Sequence, residues 1–175
     1  MLLIAMFMLI LVSASVILSR TSISLEDEPI EGAKLIILHY QDGGNITVLP
    51  STPDGRKLLS ACRNVLLHLS AFLICVGEDR YINFIKNKSD YIEIIFEEDR
   101  NFTLRADNKY IWPRPINVTA RRVLLILSGE RMDRVYFGGR WPPELREIMW
   151  SCEKANVDSK YFQELVIIAN KLKPG

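Results

Sequence analysis

The sequence predicts an α+β fold: a mainly antiparallel sheet packed against one long core helix, with two helices at the C-terminal end. Three observations carry this reading. Apolar residues recur at three-to-four spacing from Leu58 to Val76, the stripe of a helix with one buried face. Strand-like runs gather on either side of that stripe instead of alternating with helices, which separates α+β from α/β. The run Val123-Leu124-Leu125-Ile126-Leu127 is apolar on both faces, as a central strand requires.

The chain opens on Leu2–Leu18, LLIAMFMLILVSASVIL, without a charge. At about 17 residues it is at the short end of a membrane-spanning helix and slightly long for a signal-peptide core. Residues 1–20 are therefore expected to be a transmembrane anchor, stopping at Arg20, or a signal peptide cut after the small residues of Val12-Ser13-Ala14 or Ser13-Ala14-Ser15. Orientation signals conflict. Arg20 and Lys34 follow the segment, and the positive-inside rule would keep the domain in the cytoplasm. Four acceptor patterns for N-glycosylation, at Asn45, Asn87, Asn101 and Asn117, point outside, since chance predicts roughly one. The outside is the expectation, and all four Asn fall where turns or loops are predicted.

Residues 21–33, polar and acidic with Pro29 and Gly32, read as a linker, leaving 34–175 as a single globular domain. Lys34–Tyr40 reads as a strand. Asp42-Gly43 supplies the positive φ of a hairpin turn, and Ile46–Leu49 returns. Thr52-Pro53-Asp54 then opens the core helix with a hydroxyl cap, a proline at the first position and a carboxylate in the first turn. The stripe through Leu58, Cys62, Val65, Leu69, Phe72 and Val76 predicts a helix running to Gly77, with Gly77 as its C-terminal stop. On that helix Cys62 and Cys75 would be about 20 Å apart and unable to bridge. Cys152 could pair with either.

A short helix through Tyr81, Ile82, Phe84 and Ile85 is expected next. Strands follow at 91–96, 102–106, 109–112, 121–128 and 134–137, with turns at Glu98–Asn101 and Gly129–Met132. Pro142-Pro143-Glu144 predicts a helix reaching Cys152, and Asp158 caps a final one through Phe162, Leu165, Val166 and Ala169.

Composition is ordinary for a globular chain: 49% hydrophobic, 25% charged, net charge +1. That balance supplies no electrostatic footprint for nucleic acid. The two histidines, His39 and His68, stand in no metal-ligand spacing, and Gly43-Gly44 and Gly138-Gly139 lack the spacing of a phosphate cradle. The acidic run Glu97-Glu98-Asp99 lacks a calcium-loop pattern. No cofactor, metal or catalytic residue is predicted. One mixture stands out: Arg105, Lys109, Tyr110, Trp112, Arg114, Arg121 and Arg122 interleave bases with aromatics, the residue types that dominate binding surfaces. The expectation is a membrane-tethered or secreted binding domain for a protein or glycan partner, attached through Leu2–Leu18. The alternatives are an extracytoplasmic enzyme of unidentified chemistry and an accessory subunit of a membrane complex.

Overall fold

The computed structural model describes residues 30, 32–42, 44–104, 116–129, 131–139 and 149–174. The leader 1–20, most of the 21–33 stretch and the 105–115 stretch lie outside the described residues. Within them the fold is α+β: one seven-stranded sheet, every pairing antiparallel, in the order β2-β1-β4-β5-β6-β7-β3. The strands are β1 (Ala33–Tyr40), β2 (Gly44–Val48), β3 (Ala71–Glu78), β4 (Tyr91–Leu104), β5 (Ile116–Ile126), β6 (Arg134–Gly139) and β7 (Met149–Lys154). The helices are α1 (Pro53–Leu67), α2 (Asp79–Lys86) and α3 (Lys160–Lys171).

Strand alternation divides the interior in two. On one face Ile36, Leu38, Ile92, Ile94, Val123, Leu125, Val135 and Phe137 meet Leu58, Cys62, Val65 and Leu66 of α1 and Phe162, Leu165 and Ala169 of α3. On the other, Leu124, Ile126, Tyr136, Trp150 and Cys152 meet Ile82 and Ile85 of α2. β5 is the middle strand of the seven, and its Val123–Ile126 end is buried on both faces, as the unbroken apolar run requires.

Local signals explain the ends of α1. Thr52 Oγ1 accepts from the Gly55 N–H at 3.1 Å, and Pro53 occupies the first turn. The helix is 15 residues long and stops at Leu67; the expected continuation to Gly77 is instead β3, paired with β7. Ala71–Val76 is a continuous apolar run, and such a run serves a buried strand as well as a helix. Cys62 and Cys75 are therefore on different elements. Cys62 is free and buried, while Cys152 is disulfide-bonded.

The expected helix ending at Cys152 is also corrected: Met149–Lys154 is strand β7, and 140–148 lie outside the described residues. Among the described residues one C-terminal helix follows β7, capped by Ser159, whose Oγ accepts from the Phe162 N–H at 3.2 Å, and not by Asp158. The turn expected at Glu98–Asn101 is an irregularity inside β4. Ile95 pairs with Arg122 but Arg100 with Ala120, so the strand bulges and continues. The β1–β2 hairpin forms as expected, with Tyr40 opposite Gly44 and Gly44 at φ +82°.

The fold begins before Lys34. Ile30 is buried in the main core and Ala33 starts β1. At the other end α3 is tied back to the hairpin. The Tyr40 hydroxyl donates to the Ala169 carbonyl, and Lys173 bonds Asp42 at 2.8 Å.

Candidate functional site

A groove of about 570 Å³ lies between α1 and the chain entering β1. Arg56, Ser60 and Arg63 recur at i, i+4 and i+7, so α1 presents them on one face. Leu59 lies beside them. Ile30, Gly32 and Ala33 line it from the chain entering β1, and Pro50 lines it too. The geometry of this wall depends on Gly32, whose φ is +82°. The Arg100 guanidinium lies so close that a Cβ on Gly32 would collide with it. Arg56 is fixed at the helix start by donating from Nη1 to the Ser51 carbonyl.

The groove is thus apolar at Ile30, Ala33, Pro50 and Leu59 and cationic at Arg56 and Arg63. No carboxylate lines it among the described residues. Arg56, in the first turn of α1, adds to the positive end of the helix dipole, and Arg63, two turns on, extends the cationic face. The arrangement is suited to holding an anionic group; it contains no nucleophile paired with a base.

A second polar centre lies on the sheet face shared with α2. Glu93 is 3% exposed. One carboxylate oxygen receives Lys86 Nζ at 2.6 Å, the other Arg122 Nε at 2.6 Å. Arg122 in turn lies 5.4 Å above the Trp150 ring, whose Nε1 donates to Asp79 at 2.6 Å. Tyr91 stacks on His39 at 4.7 Å between ring centroids, and His39 Nδ1 meets Asn45 Oδ1 at 2.5 Å. Burial, then the Glu93 charge, raises the Tyr91 hydroxyl. Every charge here has a partner, so the cluster is a brace between α2, β4, β5 and β7.

Glu153 differs. It is 2% exposed on β7, accepts the Leu73 N–H at 2.9 Å, and burial pushes its carboxyl from 4.5 up to about 7. It lines no groove. His68 stacks on Tyr161 at 4.2 Å, an ordinary packing role. Burial pushes the Cys62 thiol far up, which suppresses the reactive thiolate.

Of the seven residues predicted as a binding surface, Arg105, Lys109, Tyr110, Trp112 and Arg114 lie outside the described residues. The remaining two do not share a surface. Arg121 is exposed and donates to the Glu97 carbonyl in the β4 bulge, whereas Arg122 turns inward to Glu93. The four glycosylation candidates are all exposed. Only Asn87, at the end of α2, is outside a strand; Asn45, Asn101 and Asn117 lie in β2, β4 and β5, correcting their placement in turns. Asn101 and Asn117 form a cross-strand set: Thr119 Oγ1 donates to Asn101 at 2.6 Å and Thr103 Oγ1 to Asn117 at 3.0 Å. Alternation leaves these side chains outside while Phe102 and Leu104 pack inward.

The groove was not among the predicted sites. The Arg56-Ser60-Arg63 spacing is visible in the sequence, but its second wall comes from a stretch read as linker. Among the described residues no group of three His, Cys, Asp or Glu converges on a metal position, and no helix is long and apolar enough to cross a membrane. No family model matches the chain, and neither a curated protein nor a solved structure matches it.

Proposed function

We propose that this chain is an extracytoplasmic binding domain, tethered by Leu2–Leu18 or released by cleavage within that leader. The observation that carries the binding reading is the Arg56–Arg63 groove, which has the volume of a ligand site and a cationic wall without catalytic partners. The disulfide at Cys152 supports the compartment, because structural disulfides belong to oxidising environments. The exposed acceptor residues Asn45, Asn87, Asn101 and Asn117 support it too.

The enzyme alternative finds less support. The buried carboxylate held near neutrality, Glu153, is closed off from solvent and engaged with backbone. A protein or glycan partner remains the expected macromolecular ligand, with Arg121 the described, exposed member of the predicted surface.

The test is expression of the full chain in a glycosylating host, with glycosidase treatment and each Asn→Gln variant as control. Loss of one mobility step per active site is expected, with Asn87 and Asn45 the most accessible. An unmodified domain, protected from protease by sealed membranes, would overturn the compartment.

A further inference from the structure

The geometry points to a small amphipathic anion as the occupant of the Arg56–Arg63 groove: a phosphate or carboxylate group carried on an apolar body. This deepens the proposed binding role and rests on it. Charge complementarity comes first. Arg56 and Arg63 stand about 10 Å apart along the helix axis, and both line the groove with Ser60, Arg56 while its Nη1 donates to the Ser51 carbonyl. Arginine's planar donors suit two-oxygen groups such as phosphate and carboxylate. The Ser60 hydroxyl between them adds a neutral donor.

Size and polarity then exclude a bare ion. About 570 Å³ greatly exceeds the space of a phosphate, and Ile30, Ala33, Pro50 and Leu59 provide apolar lining that a hydrated ion cannot use. An apolar body of several carbons would cover Leu59 and Pro50 while its anionic end meets the arginines. Removing that body from water supplies affinity that the charge alone, screened by salt at a half-open groove, does not. The same chemistry occurs in free small anions and in the phosphate of a lipid headgroup.

The experiment is calorimetric titration of the full chain in neutral detergent, with folding of each variant checked by circular dichroism. Phenyl phosphate serves as probe, inorganic phosphate and benzyl alcohol as its two halves. Saturable binding of phenyl phosphate is expected, at least about tenfold tighter than inorganic phosphate, with no saturable binding of benzyl alcohol. Arg56→Gln should weaken it about tenfold, the scale of one charge-assisted hydrogen bond. Leu59→Ser should weaken phenyl phosphate but leave inorganic phosphate unchanged. Arg63→Gln should act like Arg56→Gln; if it fails to fold, Arg56→Gln and Ser60→Ala carry the test.

Competition by water-soluble dihexanoyl phosphatidic acid separates the sources. Displacement at lower concentration than phenyl phosphate assigns a lipid headgroup; weaker displacement assigns a free small anion. Three results overturn the proposal: no saturable signal at millimolar phenyl phosphate, equal affinity in Arg56→Gln, or inorganic phosphate binding as tightly as phenyl phosphate. Failure here with extracytoplasmic glycosylation intact removes the ligand class alone. Binding that persists in a cytoplasm-facing domain removes the compartment alone.

Discussion

Replacing Glu93 by Gln removes one charge and almost no volume, so its effect measures what that carboxylate holds. Glu93 is 3% exposed, and the Lys86 and Arg122 side chains are 13% and 28% exposed. In the native protein one anion pairs with two largely buried cations from α2 and β5. Glu93→Gln leaves both cations facing an amide. Each pair is worth up to about 4 kcal/mol at the effective dielectric of a protein edge, partly offset because Arg122 and Lys86 keep some water. Breaking a buried pair from one side costs about 3–5 kcal/mol, and partial exposure places Glu93→Gln near the lower bound, about 3 kcal/mol. That is a large share of the 5–15 kcal/mol typical of a domain. Urea unfolding at pH 7 should show a midpoint shift with unchanged slope, and Tm should fall by about 6–12 °C. Lys86→Gln leaves the Arg122 bond and should cost less, about 1–2 kcal/mol. Replacing all three together by Leu, Met and Leu should be close to neutral. A Glu93→Gln loss below about 1 kcal/mol would refute the reasoning, since the two cations would then not depend on this carboxylate.

Other perturbations follow from named contacts. Glu153 binds its proton more tightly folded than unfolded, so stability should fall as pH rises from 4.5 to about 7 and then level off. Glu153→Gln should flatten that slope and stabilise the protein at pH 8 by about 1–3 kcal/mol, read by urea titration across pH. Gly55→Ala should destabilise by about 1–3 kcal/mol instead of giving the usual helix gain, because its Cβ would strike the Leu49 carbonyl; a raised Tm would contradict this. Leu66→Asp should abolish folding, since Leu66 is 1% exposed in the main core. His68→Ala should lose only about 1 kcal/mol with its Tyr161 stack, both judged by chemical denaturation.

What the sequence revealed depended on whether a signal had a local cause. Thr52-Pro53-Asp54 contains its own capping chemistry, and the Thr52–Gly55 bond forms as read. The two-sided apolar run of β5 could be satisfied only by burial on both faces, and it is central. Leu69–Val76 had no such constraint. Its apolar residues extend the α1 stripe by spacing alone, and pairing with β7, far along the chain, decides for a strand. Met149–Cys152 was misread for the same reason, since Trp150 and Cys152 alternate inward once β6 and β3 flank them. Arg121 and Arg122 looked like one patch because adjacency in sequence hides the reversal of side-chain direction along a strand. The brace at Glu93 was invisible for a related reason: Lys86 and Arg122 meet it from separate elements.

The central claim is that this domain works outside the cytoplasm, and the state of its cysteines in the cell tests that most directly. Cells expressing the full chain are quenched in acid, unfolded, alkylated, and the cysteine peptides weighed before and after reduction. The account predicts that Cys62, free and buried, is alkylated at once, and that Cys152 becomes alkylable only after reduction. Alkylation of Cys152 without reduction would mean a thiol-reducing compartment and would contradict the claim.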